Sequence, residues 1–415
     1  MSDFIKKGLK NATYLTIGNL VAQLIAIVSF SYIAVMLGPD ELGKYSTAIS
    51  FVAIFTFLCL PGIDRVLLIQ GSKNLEYMSN IMSGHFRLKI ISTVISLILC
   101  ILLSYFMPYD NNTFKLILLF SFSLIFRSII GFLSPVFQAH ERMEYLSLLR
   151  IFRSLSFSLM AIAVLFFGFG VFHVILVSLI STIITSYFYY HYSKSFISIK
   201  SLFPPSNYKI NMNSITIFSF TSFLVTVSQR ADVIFLSIFA TISDVGLYAI
   251  PIAIIVKLTI VRNTLAIGFS PVTVKQIKKN TLPPHKYFIY SLYLLLLVGF
   301  CSFLISFKSE YIMSFFGKEY LPAHEILKIL IFSVPLIFAT VPFTLFLQST
   351  GNEYFVLLSV LFALILKIPL MFLFFGQYGL LGVVYSTLTY NVISLIILCI
   401  STYVILFKEK RSSLQ

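Results

Sequence analysis

Four basic residues, Arg127, Arg230, Lys257 and Lys367, stand near the middle of long apolar stretches. In "SFLVTVSQRADVIFLSIFA", residues 222–240, Arg230 is followed two positions later by Asp232. Asp64, Arg65 and Arg153 lie nearer the ends of their stretches, and Arg262 follows Lys257 by five residues. A charge at the centre of a membrane helix costs about 2.5–3.5 kcal/mol. The four central cations would together cost about 10 kcal/mol in lipid, as much as the folding stability of a whole domain. They must therefore face water, carboxylates or both. Only two acidic groups, Asp64 and Asp232, accompany about seven basic ones within these stretches, so internal ion pairs cannot neutralise the set. The chemistry left over is anion binding, and guanidinium forks match phosphate. Arg150 and Arg153 share a helix face at i,i+3 near one mouth of such a cavity. A purely structural reading stays open. Arg230 and Asp232, at i,i+2, do not face each other and each can pair across to a neighbour; Arg65 and Arg153 can snorkel to the interface.

These charges are carried by a chain that is 58% hydrophobic and 11% charged over 415 residues. A soluble domain carries roughly a quarter charged residues, so lipid is the main solvent here. Apolar runs predict twelve spans, at 13–37, 46–69, 88–107, 114–137, 145–168, 171–190, 214–240, 247–270, 287–307, 326–348, 354–375 and 379–407. Without water in the hydrocarbon the backbone must bond to itself, so the spans are helices and the fold is all-α. "MSDFIKKGLK" resembles a signal-peptide start, but the apolar run after it is too long and lacks a cleavage site, so it reads as a retained first span. Pro61, Pro251, Pro335, Pro342 and Pro369 punctuate the spans and predict bends.

Taking the N-terminus as cytoplasmic puts 19 loop cations on that side against 5 on the other, with both termini inside. The net charge of +15 is thus a topology signal and an attraction to anionic lipid, with no basic stripe left for nucleic acid. The polar, proline-containing segment 194–212 divides an N-terminal six-helix bundle, 1–193, from a C-terminal one, 213–415. The halves repeat one another. "LGPDELGKYSTA" parallels "ATISDVGLYAIP", pairing Gly43 with Gly246 and Tyr45 with Tyr248; "QAHERMEY" parallels "QSTGNEYF"; "FFGFGVFHVILVS" parallels "FFGQYGLLGVVYS". The offsets are 203, 210 and 208 residues. Six spans per repeat put both halves into the membrane the same way round, with a cleft between them as the expected substrate site.

Other chemistries find little support. Cys59, Cys100, Cys301 and Cys399 lie in apolar runs without metal or redox spacing, and no histidine pair has ligand spacing, so no metal or other cofactor is expected. There is no GxxxxGK[ST], no GxSxG and no large outer loop with clustered carboxylates. Transport, not enzymatic chemistry, is the expected work.

"LGPDELGKYSTA" after the first span, "RAD" in the seventh, "SDVGLYAIP" before the eighth and "FFGKEYLPAHEILKIL" leading into the tenth resemble the polysaccharide-transporter branch of the multidrug/oligosaccharidyl-lipid/polysaccharide (MOP) exporter superfamily, with O-antigen flippases of the Wzx type nearest in pattern. The resemblance implies a MATE-like fold of two bundles around a cationic central cavity. It implies translocation of undecaprenyl-pyrophosphate-linked sugar repeat units from the cytoplasmic to the periplasmic leaflet of a bacterial inner membrane, by alternating access, in O-antigen and lipopolysaccharide biosynthesis. The pyrophosphate would meet Arg127, Arg230, Lys257, Lys367, Arg153 and Arg262. Asp64 and Asp232 are candidates for coupling to a proton or sodium ion. A polysaccharide polymerase and a chain-length regulator are candidate partners. Two alternatives stand beside this reading. A drug exporter of the same superfamily would want carboxylates for organic cations. A membrane polymerase or glycosyltransferase would want larger outer loops.

Overall fold

The computed structural model describes residues 2–197, 210–278 and 285–412, with side chains over 17–197, 210–259, 262 and 286–406. Every regular element among the described residues is a helix. Eleven helices are long and apolar enough to cross a membrane. The first of these, Ile17–Cys59, is 43 residues long, or about 65 Å if straight, which is twice the hydrocarbon thickness. It belongs to α1 (Ser2–Phe55), which is broken at Gly38, φ 70 and ψ 173, with Pro39 next. Glycine takes that left-handed φ without steric cost, and proline cannot continue the preceding ladder. The chain turns there, and α1 supplies two of the twelve expected passes.

Its second pass is interrupted again. A 3₁₀ turn, Thr56–Cys59, leads to Leu60 in the left-handed region, φ 49, and α2 (Pro61–Lys73) starts on Pro61. The Phe55 carbonyl near this break accepts a 2.7 Å hydrogen bond from Ser96 Oγ of α3 (Met78–Tyr105). α4 (Asn111–Ser121), capped by the Asp110 carboxylate on the Thr113 N–H at 3.3 Å, and α5 (Ser123–Ala139) form the next pass. α6 (Met143–Phe166), α7 (Val171–Ser193) and α8 (Met212–Phe239) follow.

Contacts divide the chain into two compact units, 1–246 and 247–415. In the first, α1 packs on α6, α2 on α5, and α8 on both α1 and α2. The core gathers Ile63, Leu67, Met82, Phe137 and Leu146 around Ile215 of α8. Gly62 permits the approach of α8: a Cβ there would strike the Ile215 carbonyl oxygen, and the Gly62 N–H donates to Ser219 Oγ at 3.0 Å. Thus α8, which opens the second repeat in sequence, is packed with the first unit. Of the expected linker, 194–212, residues 198–209 lie outside the described residues.

The second unit takes most of α9 (Ile242–Lys278), then α10 (His285–Phe307), α11 (Ser309–Ser314), α12 (Ala323–Leu330), α13 (Ser333–Ala339), α14 (Val341–Ser349), α15 (Tyr354–Tyr378) and α16 (Leu380–Ser412). α12 to α14 form one interrupted pass, with Pro335 in the middle piece and Pro342 opening the last. Large apolar side chains such as Leu296, Phe372 and Leu159 remain exposed along the helices, the surface that lipid covers.

The repeat is visible in backbone detail. After α5, Arg142 N–H donates to Phe137 O and Glu141 N–H to Gln138 O; after α14, Asn352 N–H donates to Leu347 O and Gly351 N–H to Gln348 O. The pivots, Glu141 at φ 56 and Gly351 at φ 75, are 210 residues apart, the spacing of the matched "Q" motifs.

Candidate functional site

On three helices of the first unit, Arg127 of α5 lies in the fields of both Arg153 of α6 and Arg230 of α8. Tyr45, from the second pass of α1, lies in the fields of both Arg127 and Arg230 and is 7% exposed. Each arginine is half-buried, so each keeps part of its surface open to solvent. None of the three forms an ion pair with a carboxylate among the described residues. The Arg127 guanidinium lies 5.0 Å from the ring centroid of Phe120 on α4, and its Nε is buried without a hydrogen-bond partner. A cation–π contact returns about 0.5–2 kcal/mol, less than the cost of holding one central cation, and it does nothing for the repulsion of Arg127 by Arg153 and Arg230.

The helices that aim these groups are tied by short polar bonds. Ser181 Oγ of α7 donates to the Arg153 carbonyl at 3.2 Å and pairs with Ser156 Oγ at 2.7 Å. Ser154 Oγ donates to the Ala22 carbonyl of α1 at 2.7 Å. Arg150, exposed and one turn from Arg153, donates to Asn19 Oδ1 at 2.7 Å. Arg150 and Arg153 therefore continue the positive strip along α6.

The acidic candidates divide. Asp64 accepts a 2.7 Å hydrogen bond from Lys89 Nζ of α3 and forms a salt bridge with it. Its carboxylate rests on Gly131 of α5, where a Cβ would crowd Oδ2. Beside this pair, Thr93 Oγ1 and Ser128 Oγ lie 2.6 Å apart. Asp232 is 2% exposed on α8. Arg65 is exposed. Sequence reasoning missed Lys89 by counting it as a cytoplasmic loop cation; it lies eleven residues inside α3 and is 4% exposed. It also passed over Tyr45 except as a repeat marker.

The basic residues expected in the second half have different surroundings. Lys257 of α9 is half-buried. Arg262 Nη2 donates to Thr340 Oγ1 at 3.2 Å. Lys367 of α15 is 1% exposed, with its Nζ 5.4 Å from the Tyr390 ring centroid on α16. There an aromatic face takes part of the place of water. Among the described residues no group of three His, Cys, Asp or Glu is placed to hold a metal ion.

The family follows from the sequence profile that spans most of this geometry. The profile described as polysaccharide biosynthesis protein matches residues 8–265, which carry Tyr45, Arg127, Arg153 and Arg230. The chain belongs to that family. A second profile, MatE, matches residues 218–373. No curated protein sequence matches. Among solved structures, the fold is similar to an inward-facing multidrug-resistance MATE transporter of the MOP superfamily, with TM-score 0.74, 16% identity and coverage of 94% of this chain and 96% of that one. It is similar to an outward-facing MATE transporter, with TM-score 0.66, 17% identity and coverage of 97% and 96%. It is also similar to the lipid II flippase MurJ in an inward closed conformation, with TM-score 0.70, 15% identity and coverage of 93% and 87%. At these identities the likeness is one of fold. This polysaccharide biosynthesis family member is a multi-pass membrane protein with the MOP transporter fold.

Proposed function

We propose that this protein is a flippase that moves undecaprenyl-pyrophosphate-linked O-antigen repeat units from the cytoplasmic to the periplasmic leaflet of a bacterial inner membrane. The observation that carries this reading is Arg127 in the fields of both Arg153 and Arg230, with no carboxylate ion-paired to any of the three among the described residues. Three cations held in a part-desolvated site favour a multivalent anion, and a pyrophosphate offers more charge and more acceptor oxygens than a simple phosphodiester. Arg150 and Arg153 would meet the headgroup at the cytoplasmic mouth. The sugars would occupy the hydrated space, and the prenyl chain would stay in lipid.

In this reading both termini are cytoplasmic, and two six-helix halves, 1–193 and 213–415, joined through 194–212, alternate the access of the site between leaflets. Lys257, Arg262 and Lys367 would add positive potential from the second half. Asp232 and Asp64 would couple transport to a proton or sodium ion, Asp64 by exchanging its bond to Lys89. A polymerase and a chain-length regulator would receive the product. An organic-cation exporter of the same fold would require acidic groups where this site has arginines. The protein would carry out no bond-making itself. Replacing Arg127 or Arg230 with Ala tests the proposal: surface polysaccharide should disappear while the variants still insert. Normal polymer in both variants would remove these residues from the mechanism.

A further inference from the structure

A cavity of about 490 Å³ lies between α3, α5 and α7 of the first unit, within the roughly 300–1,000 Å³ typical of ligand sites. Ile90 and Val94 of α3, Ile129 and Phe132 of α5 and Tyr190 of α7 line it. Ile90, Val94, Ile129 and Tyr190 are also exposed, so the cavity is a groove open to the lipid-covered surface. The polar groups on its floor are turned to one another. Lys89 Nζ donates to Asp64 at 2.7 Å, and Thr93 Oγ1 donates to the Lys89 carbonyl at 2.7 Å and pairs with Ser128 Oγ at 2.6 Å. Such a floor has nothing left for a headgroup. It accepts an apolar chain without stranding a buried polar group.

The mouth is different. Arg87, Ile90 and Val94 share a face of α3 at i, i+3 and i+7, so exposed Arg87 stands one turn beyond the groove wall. Exposed Lys194, just past the end of α7, holds its Nζ 4.3 Å from the Tyr190 ring centroid. Neither cation forms an ion pair among the described residues. In the proposed topology both lie at the cytoplasmic interface. From Phe86 to Val94 α3 rises about 12 Å, most of the ~15 Å depth of one leaflet's hydrocarbon. A chain laid along the groove from the interface therefore brings its phosphate to Arg87 and Lys194. A zwitterionic headgroup would add a cation of its own there, and a net-anionic one would not.

We infer that this groove binds an acidic phospholipid of the cytoplasmic leaflet, with an acyl chain over the Lys89–Asp64 pair and the phosphate between Arg87 and Lys194. The inference goes beyond the proposed transport. It takes from that reading only the side of the membrane on which the mouth lies, and cargo binding at the arginines does not enter it.

The chain contains no tryptophan, so a single introduced indole reports on the lipid at a chosen place. Full-length Tyr190→Trp keeps an aromatic ring under Lys194; Leu296→Trp, at an exposed position of α10, serves as reference. Both would be placed in phosphatidylcholine vesicles, and quenching by dibrominated phosphatidylglycerol compared with quenching by dibrominated phosphatidylcholine. Tyr190→Trp should prefer the acidic lipid about tenfold, as two surface cations allow, and Leu296→Trp less than twofold. Adding Arg87→Gln and Lys194→Gln should bring Tyr190→Trp down to the reference. Equal preference at the two tryptophans, or a preference that survives loss of both cations, would overturn the inference. So would geranylgeranyl diphosphate relieving the quenching better than unbrominated phosphatidylglycerol, which would give the groove to a prenyl chain. If Tyr190→Trp does not fold, the melting temperature in detergent replaces it. Phosphatidylglycerol should raise that of wild-type protein by several degrees, phosphatidylcholine should not, and Arg87→Gln with Lys194→Gln should lose the gain. Equal effects of the two lipids would overturn the inference. None of these outcomes depends on whether the arginine site binds a diphosphate.

Discussion

Two groups of buried charge in the first unit solve the same problem in opposite ways. Lys89 and Asp64 face each other at 2.7 Å and balance, with Lys89 only 4% exposed. Arg127, Arg153 and Arg230 have no carboxylate ion-paired with them among the described residues, and each keeps some accessible surface. A self-neutralised pair can be packed away because the partner replaces water. An unbalanced cluster has to stay open to solvent or to a ligand of the opposite sign. The difference separates a charge pair that ties α2 to α3 from charges that, in the proposed function, are left for cargo. The second unit adds a third arrangement, in which Lys367 is packed against an aromatic ring.

The largest effects should come from the unbalanced cluster. Arg127→Ala or Arg230→Ala should lower surface polysaccharide by about a hundredfold or more, the equivalent of about 2.7 kcal/mol. Protein in the membrane, measured by quantitative blotting, should stay near the wild-type amount.

Breaking the balanced pair should read out as stability first. Lys89→Met strands Asp64, whose side chain is 21% exposed. Loss of one partner of a fully buried pair costs about 3–5 kcal/mol, so this part-exposed site should lose about 2 kcal/mol. Lys89→Met combined with Asp64→Leu should restore the melting temperature in detergent. A restored melting temperature with transport still absent would assign the pair to coupling as well as to packing; recovery of both would make it structural alone.

Gly43→Ala should be felt next. It forces a methyl group into the Ile242 carbonyl, and overpacking of this kind costs about 1–3 kcal/mol. The melting temperature should fall by several degrees, and Gly246→Ala should do the same from the other side of the contact. The smallest effect should be that of Lys367→Met, a substitution of similar length over the Tyr390 ring. Polysaccharide should change by no more than about twofold, since a buried ammonium is costly to desolvate and an apolar chain of similar length fills its place. A loss as deep as that of Arg127→Ala would move Lys367 into the cargo site.

Much of the fold is legible in the amino-acid order because the physics of a bilayer is one-dimensional at this scale. Twenty apolar residues reach across, and "LGPDELG" marks where α1 has to turn. The repeat of "QAHERMEY" in "QSTGNEYF" anticipates two left-handed pivots 210 residues apart. What stays hidden depends on which helices touch. Leucine has no preference for positive φ, so the break at Leu60 carries no local signal beyond the following proline. Lys89 reads as a loop cation until α3 is seen to begin at Met78. The mid-span positions of Arg127 and Arg230 can be counted along the chain. The approach of Arg230 to Arg127 depends on the packing of α8 within the first unit, which is settled by contacts such as Gly62 with Ile215 and by nothing in the spacing.

The most direct measurement is transfer across a sealed bilayer. Proteoliposomes carrying the full-length protein would be loaded with a fluorescent polyprenyl-diphosphate sugar, and a membrane-impermeant quencher would report how much reaches the other leaflet. Wild-type protein should equilibrate the lipid between leaflets, and the triple variant Arg127→Gln, Arg153→Gln and Arg230→Gln should leave it at the rate of empty vesicles. Equal transfer by both proteins would contradict the assignment of the arginine cluster to the cargo.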